Sequence, residues 1–97
     1  MRIISQDGTI DIPYDYFSLT ITTGKCEDVE YACIYCHNLS SPKGTKLAEY
    51  SSKEKAEKAM EMLYITYKGN KVEEVYQEGT NYYHPTFQFP ADEDVEV

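Results

Sequence analysis

Apolar and polar positions alternate through the first half of the chain, then change to a three-and-four spacing in the second. In Thr9-Ile10-Asp11-Ile12 the two isoleucines share one face, and Pro13 closes the segment. Arg2–Ser5 precedes it across Gln6-Asp7-Gly8, and Asp-Gly between β-formers is a hairpin signal. Phe17-Ser18-Leu19-Thr20-Ile21-Thr22 alternates again, with Phe17, Leu19 and Ile21 inward and the hydroxyls outward. Gly24 then permits a turn. Val29–Asn38 is rich in β-branched and aromatic residues and reads as a strand. Ser40-Ser41-Pro42-Lys43-Gly44 reads as a loop, after which Lys46–Tyr50 returns antiparallel.

The spacing predicts one main helix. Ser51 with Glu54 three residues later has the pattern of a capping box. Ala56, Ala59, Met60, Leu63 and Tyr67 trace a single face, with lysines and glutamates around the remainder and Gly69 as the expected stop. Val72–Tyr76 reads equally as a short helix or a connector. Tyr82–Phe89 is a last strand, confined by Pro85 to an edge or a bulge. The acidic ending at 91–97 is expected to stay solvated. The expectation is therefore α+β: a small antiparallel sheet of about five strands with one main helix packed across it. A single domain spans 1–90, and 91–97 forms a tail.

Composition narrows the function. With 97 residues the chain holds one small core, and 41% of its residues are hydrophobic. No run approaches the roughly 18 apolar residues of a membrane span. MRIISQDGTI has neither the apolar stretch nor the cleavage site of a signal peptide, so a cytoplasmic location is expected. A net charge of −8 opposes direct nucleic-acid binding, which draws its affinity from Lys and Arg on phosphates. It suits a basic protein surface, and it also serves plain solubility.

Candidate chemistry concentrates in KCEDVEYACIYCH. C-x-x-C-H is a haem-attachment signature, but haem attachment normally follows export and no export signal is present. A redox dithiol needs a lowered thiol pKa, whereas Glu27, Asp28 and Glu30 would raise it. Zinc is the sharper reading. Cys26, Cys33, Cys36 and His37 offer four ligands of the types zinc prefers, with His84 as an alternative fourth. Such a site, filled by protein ligands, is structural. It carries a condition: on a flat strand Cys33 and Cys36 face opposite ways, and Cys33 lies about 13 Å from His37. Zinc requires a knuckle or a helical turn there. Otherwise Cys33 and Cys36 are small buried hydrophobes and His37 a polar surface residue. No phosphate-binding, nucleophile-elbow or H-E-x-x-H motif occurs, and no enzymatic activity is expected.

MRIISQDGTIDIPY, LAEYSSKEKAEKAMEML and FQFPADEDVEV resemble small phage and mobile-element proteins of Gram-positive bacteria. The likeness covers the two ends and the main helix. Some proteins of this kind look like type II-A anti-CRISPR proteins, and one metal-containing family among them is similar to this chain. The resemblance implies a non-enzymatic inhibitor that binds the type II RNA-guided effector nuclease and obstructs loading of target DNA. Such nucleases hold their heteroduplex in a positively charged channel, which an acidic protein suits. Glu27, Asp28 and Glu30 are the candidate partner-binding residues. The alternative is a phage accessory domain that binds another basic host or phage protein and is stabilised by a structural zinc.

Overall fold

The computed structural model describes residues 1–76 and 86–97, with side chains described for 1–69 and 86–97. The chain order is β1 (Arg2–Ile4), β2 (Asp11–Pro13), β3 (Ser18–Cys26), β4 (Val29–Asn38), β5 (Ser41–Tyr50), α1 (Lys53–Tyr76) and β6 (Thr86–Gln88). Short 3-10 turns occupy Tyr14–Tyr16 and Asp92–Asp94. The class is α+β, but the strands form two three-stranded sheets rather than one of five. One sheet has the order β2-β1-β6 and the other β3-β4-β5.

The smaller sheet grows from the predicted hairpin. Ile3 opposes Ile12, which puts both isoleucines into the core. Asp7 organises the turn. Its Oδ1 accepts from Ser5 Oγ at 2.7 Å, Thr9 N–H at 3.0 Å and Thr9 Oγ1 at 2.7 Å. These bonds favour the ionised form and hold its carboxyl down at about 2. Gly8, at φ +79°, completes the reversal. β6 joins the other side of β1 in parallel, with Phe87 beside Ile3, so the sheet is mixed. A parallel pairing between the two ends of the chain leaves no local signature. Tyr82–Pro85 lie outside the described residues.

The larger sheet is antiparallel throughout. Leu19, Ile21, Ile34, Cys36, Ala48 and Tyr50 line its inner face, under Ala56, Ala59 and Leu63 of α1. β5 is longer than expected, because Ser41–Gly44 is strand and only Leu39-Ser40 turns. An irregularity opposite Ile34 and Tyr35 admits one extra β5 residue. It aims Leu47 and Ala48, neighbours in sequence, both into the core.

The helix also differs at its ends. Ser52 is the cap: its Oγ accepts from Lys55 N–H at 3.2 Å. Ser51 is taken by Asp92, whose Oδ1 accepts from Ser51 N–H at 2.8 Å and Ser51 Oγ at 3.0 Å. The capping box is thus displaced by a tertiary contact. Gly69 does not stop α1, which runs on to Tyr76, and a Cβ at Gly69 would meet nothing within 4 Å. The acidic ending is not a loose tail either. Val95 is buried in the core, Asp92 bonds Ser51 and Lys55, and Phe89 packs edge-on against Phe87.

Gln6 ties these parts together. Its N–H donates to Leu47 O at 2.8 Å, and its side-chain amide brackets Glu49. Nε2 donates to Glu49 O and to Pro90 O, each at 3.1 Å, while Oε1 accepts from Glu49 N–H at 3.1 Å. Replacing Gln6 with Ala is expected to cost about 2 kcal/mol in urea unfolding, since three side-chain bonds, one of them partly buried, go together. Gln6→Glu, which keeps the acceptor and loses the donor, should also destabilise. The Asp7 carboxyl makes a separate prediction. Its folded pKa is depressed, so its contribution is full above the ordinary value of 3.8 and is lost as pH falls towards about 2. Asp7→Asn should flatten that acid limb in a pH series of thermal melts.

Candidate functional site

The cysteine motif lies on β4, an unbroken strand over Val29–Asn38. The period of two sends Cys33 and Cys36 to opposite faces. Cys36 is 2% exposed and packs in the core between the sheet and α1, as a small apolar residue does. Cys33 faces outward between Thr22 of β3 and Glu49 of β5, yet is 3% exposed because its neighbours cover it. Its thiol donates to Glu49 Oε1 at 3.6 Å, and Lys46 Nζ reaches the same oxygen at 3.3 Å. Cys26 is exposed at the far end of β3, opposite Val29. It stands four residues, about 13 Å, from the Cys33 partner Thr22.

His37 is held from both sides. Its Nδ1 lies 3.0 Å from Pro42 O, a pure acceptor, so Nδ1 carries the proton. Its Nε2 lies 2.8 Å from Thr20 Oγ1. Gly44 makes room for the ring. Its φ of +85° suits glycine, and a Cβ there would sit 2.5 Å from His37 Cε1. The residue that the sequence offers as a ligand instead shapes the irregular β4–β5 turn.

These positions do not fit a tetrahedral zinc in this fold. The strand separates Cys33 from Cys36, and both His37 nitrogens are engaged. No three of His, Cys, Asp and Glu converge on one point among the described residues. His84 lies outside the described residues. The thiols also lack what redox chemistry requires. Burial pushes the Cys33 thiol up, with the Glu49 carboxylate adding to it, and burial raises Cys36 as well. The carboxylate acting on Cys33 comes from β5, across the sheet. Glu27, Asp28 and Glu30 do not supply that effect, because pairing carries them to the distal end of the hairpin.

That end is the more distinctive feature. Glu27 and Asp28 alone connect β3 to β4, at φ +50° and +65°. Both angles lie in the left-handed region of the two-residue hairpin turn that Asn-Gly ordinarily fills. Each non-glycine residue there costs about 1 kcal/mol or more. β4 pairs with β5 only as far as Ala32 and Tyr50, so the hairpin beyond that point is two-stranded. Tyr31 lies across Gly24, where a Cβ would meet the phenol oxygen at 2.5 Å. An aromatic ring covering a cross-strand glycine stiffens such an overhang.

The helix N-terminus and the C-terminal 3-10 turn sit at the same end. Lys53 borders the groove formed by Thr23, Gly24, Lys25, Glu30 and Tyr31, and Asp92 bonds Ser51. Lys25, Lys53 and Lys55 pair with Glu30, Glu57 and Asp92 at 3.8, 3.7 and 3.3 Å. Glu27, Asp28, Glu54, Glu93 and Asp94 are exposed and have no cation within ion-pair distance among the described residues. The result is an acidic end built on the hairpin, the helix N-terminus and the 3-10 turn. Sequence patterning singled out Glu27 and Asp28 but not this grouping, because three separate segments contribute.

Compared with protein-family models, curated proteins and solved structures, the chain matches none of them. No helix among the described residues is long and apolar enough to cross a membrane.

Purified without chelator, the chain is expected to carry well under one zinc per molecule by elemental mass spectrometry. A thiol reagent should label Cys26 at once and Cys33 and Cys36 only on unfolding. Stoichiometric zinc with fully protected thiols would require β4 to leave the sheet.

Proposed function

We propose that this chain is a non-enzymatic binding protein that acts as an inhibitor. Its target is a type II RNA-guided effector nuclease, and it obstructs target-DNA loading. The nuclease as partner comes from the resemblance of the two ends and the main helix to type II-A anti-CRISPR proteins. The observation that carries the reading is the acidic end, where carboxylates of the hairpin tip, the helix N-terminus and the 3-10 turn outnumber Lys25, Lys53 and Lys55. Glu27, Asp28, Glu54, Glu93 and Asp94 pair with no cation among the described residues. An acidic end of this kind complements the basic channel in which such nucleases hold nucleic acid. It also steers encounter through long-range attraction that salt weakens.

Two further observations favour binding over catalysis. The cysteines on β4 are buried and hold their protons, and both nitrogens of His37 are engaged in the turn it shapes. The tip adds a positive argument. A turn formed by Glu27-Asp28 is energetically worse than Asn-Gly, and strain kept at an exposed position points to use of the side chains there. Zinc plays no part in this proposal.

The test joins stability to function. The double substitution Glu27→Asn with Asp28→Gly relieves the backbone and removes both charges. It is expected to raise stability by about 1 kcal/mol in urea unfolding. In a DNA-cleavage assay with a guide-loaded type II nuclease it should weaken inhibition about tenfold at low salt. Loss of inhibition with unchanged or greater stability supports the reading. Unimpaired inhibition by the double variant removes the tip from the interface. Failure of the native chain to inhibit or bind the nuclease overturns the nuclease as partner.

A further inference from the structure

The two long edges of the β3-β4-β5 sheet are treated differently by the chain. Along β5, Gln6 pairs its N–H with Leu47 and its side-chain amide with Glu49, and two irregularities break the strand. Along β3, among the described residues, no side chain or irregularity does this as far as Gly24, and Lys25 near the tip is the only charge on the strand. Its pairing with β4 runs from Ser18 to Cys26 without a shift, and Ser18–Gly24 contains no charge and no proline. Natural edges are usually blunted by such devices, because unpaired backbone groups recruit another strand.

The register identifies the open groups. A two-residue turn makes Cys26 and Val29 a hydrogen-bonded pair, and alternation then pairs Gly24 with Tyr31, Thr22 with Cys33 and Thr20 with Tyr35. Leu19, Ile21, Thr23 and Lys25 therefore direct both N–H and C=O away from β4. No backbone hydrogen bond fills these outward positions among the described residues. Exposed carboxylates bracket the edge. Asp15 lies just before β3, and Glu27 and Asp28 lie just after it, about 30 Å away along the strand.

We infer that the β3 edge is a docking site for an extended segment of a partner protein, added as a further strand, with cationic residues at both ends of that segment. Backbone pairing at Leu19, Ile21, Thr23 and Lys25 supplies affinity, and the two acidic brackets select a basic segment. Charge argues against a second copy of this chain. Each copy carries a net −8, and antiparallel self-pairing about Thr22 sets the Glu27–Asp28 tip of one copy against Asp15 of the other. The inference rests on the proposed function only for the basic character of the partner.

The test uses the full chain, labelled with nitrogen-15, and two synthetic peptides. Both alternate threonine and valine over the length of β3; one ends in lysine pairs and the other in glutamate pairs. In the free protein, amides of Leu19, Ile21, Thr23 and Lys25 should exchange rapidly, while those of Thr20, Thr22 and Gly24 are protected. The lysine-ended peptide should protect the first set and bind at least about tenfold more tightly than the glutamate-ended one at low salt. Thr23→Pro removes an outward N–H that pairs with nothing in the sheet, so it should abolish binding and leave the circular dichroism spectrum unchanged. Absence of protection at these four amides overturns the inference. Protection that rises with protein concentration alone, with a doubled sedimentation mass, overturns it in favour of self-pairing. Nuclease inhibition separates the two proposals. A chain that binds the peptide at β3 but inhibits no nuclease leaves the edge site standing, and full inhibition by Thr23→Pro removes the edge alone.

Discussion

The side chain of Gln6 has the donor and acceptor of a peptide group, and the fold uses it as one. Its amide meets both backbone groups of Glu49 and also reaches Pro90 O, so one residue spans the first hairpin, the end of β5 and the C-terminal segment. Tyr50 adds a second tie to the same carbonyl: its buried hydroxyl donates to Pro90 O at 2.8 Å, and burial pushes its ionisation well above the ordinary range. The two sheets share no strand, so their relation depends on such links and on the common core beneath α1. The same interaction covers one side of the larger sheet. Among the described residues, no backbone pairing covers the other side, along β3.

Strand geometry decides the fate of the cysteines. A period of two places Cys36 in the core and Cys33 on the outer face, where Glu49 and Lys46 from β5 surround it. Burial then keeps both thiols protonated. C-x-x-C-H becomes metal or redox chemistry only when the backbone brings its members to one side, and in β4 it does not. His37 is used locally, as the residue around which Pro42 and Gly44 bend.

The hairpin tip carries the opposite balance of local and functional demands. Glu27 and Asp28 hold positive φ because the ladder behind them, continuous from Ser18 to Cys26, leaves room for only a two-residue turn. Glycine and asparagine would relieve the backbone and discard the charge. With Lys53 of α1 beside the hairpin and Asp92 bonded to Ser51, Glu54, Glu93 and Asp94 lie towards the same end, so that charge belongs to a surface assembled from distant parts of the chain.

Much of this architecture is legible in the residues taken in order. The Asp-Gly turn marks β1, and β-branched and aromatic content marks β4. Alternation marks β2 and β3, because a half-buried strand needs only its own two faces to be distinguishable. The spacing of Ala56, Ala59 and Leu63 marks the buried face of α1 for the same reason. The capping residue was misplaced by one, since Asp92 claims Ser51 from 41 positions away. Gly69 misled because a single exposed glycine weakens a helix without ending it. The parallel pairing of β6 with β1, the burial of Val95 and the division into two sheets depend on contacts between the ends of the chain. The candidate site divides in the same way. Sequence by itself determined the strand carrying Cys33, Cys36 and His37, its period and the excess of acid. Only the tertiary structure decided which neighbours those residues meet, which carboxylates gather at one end and which sheet edge stays open, because each is set by pairing across the chain.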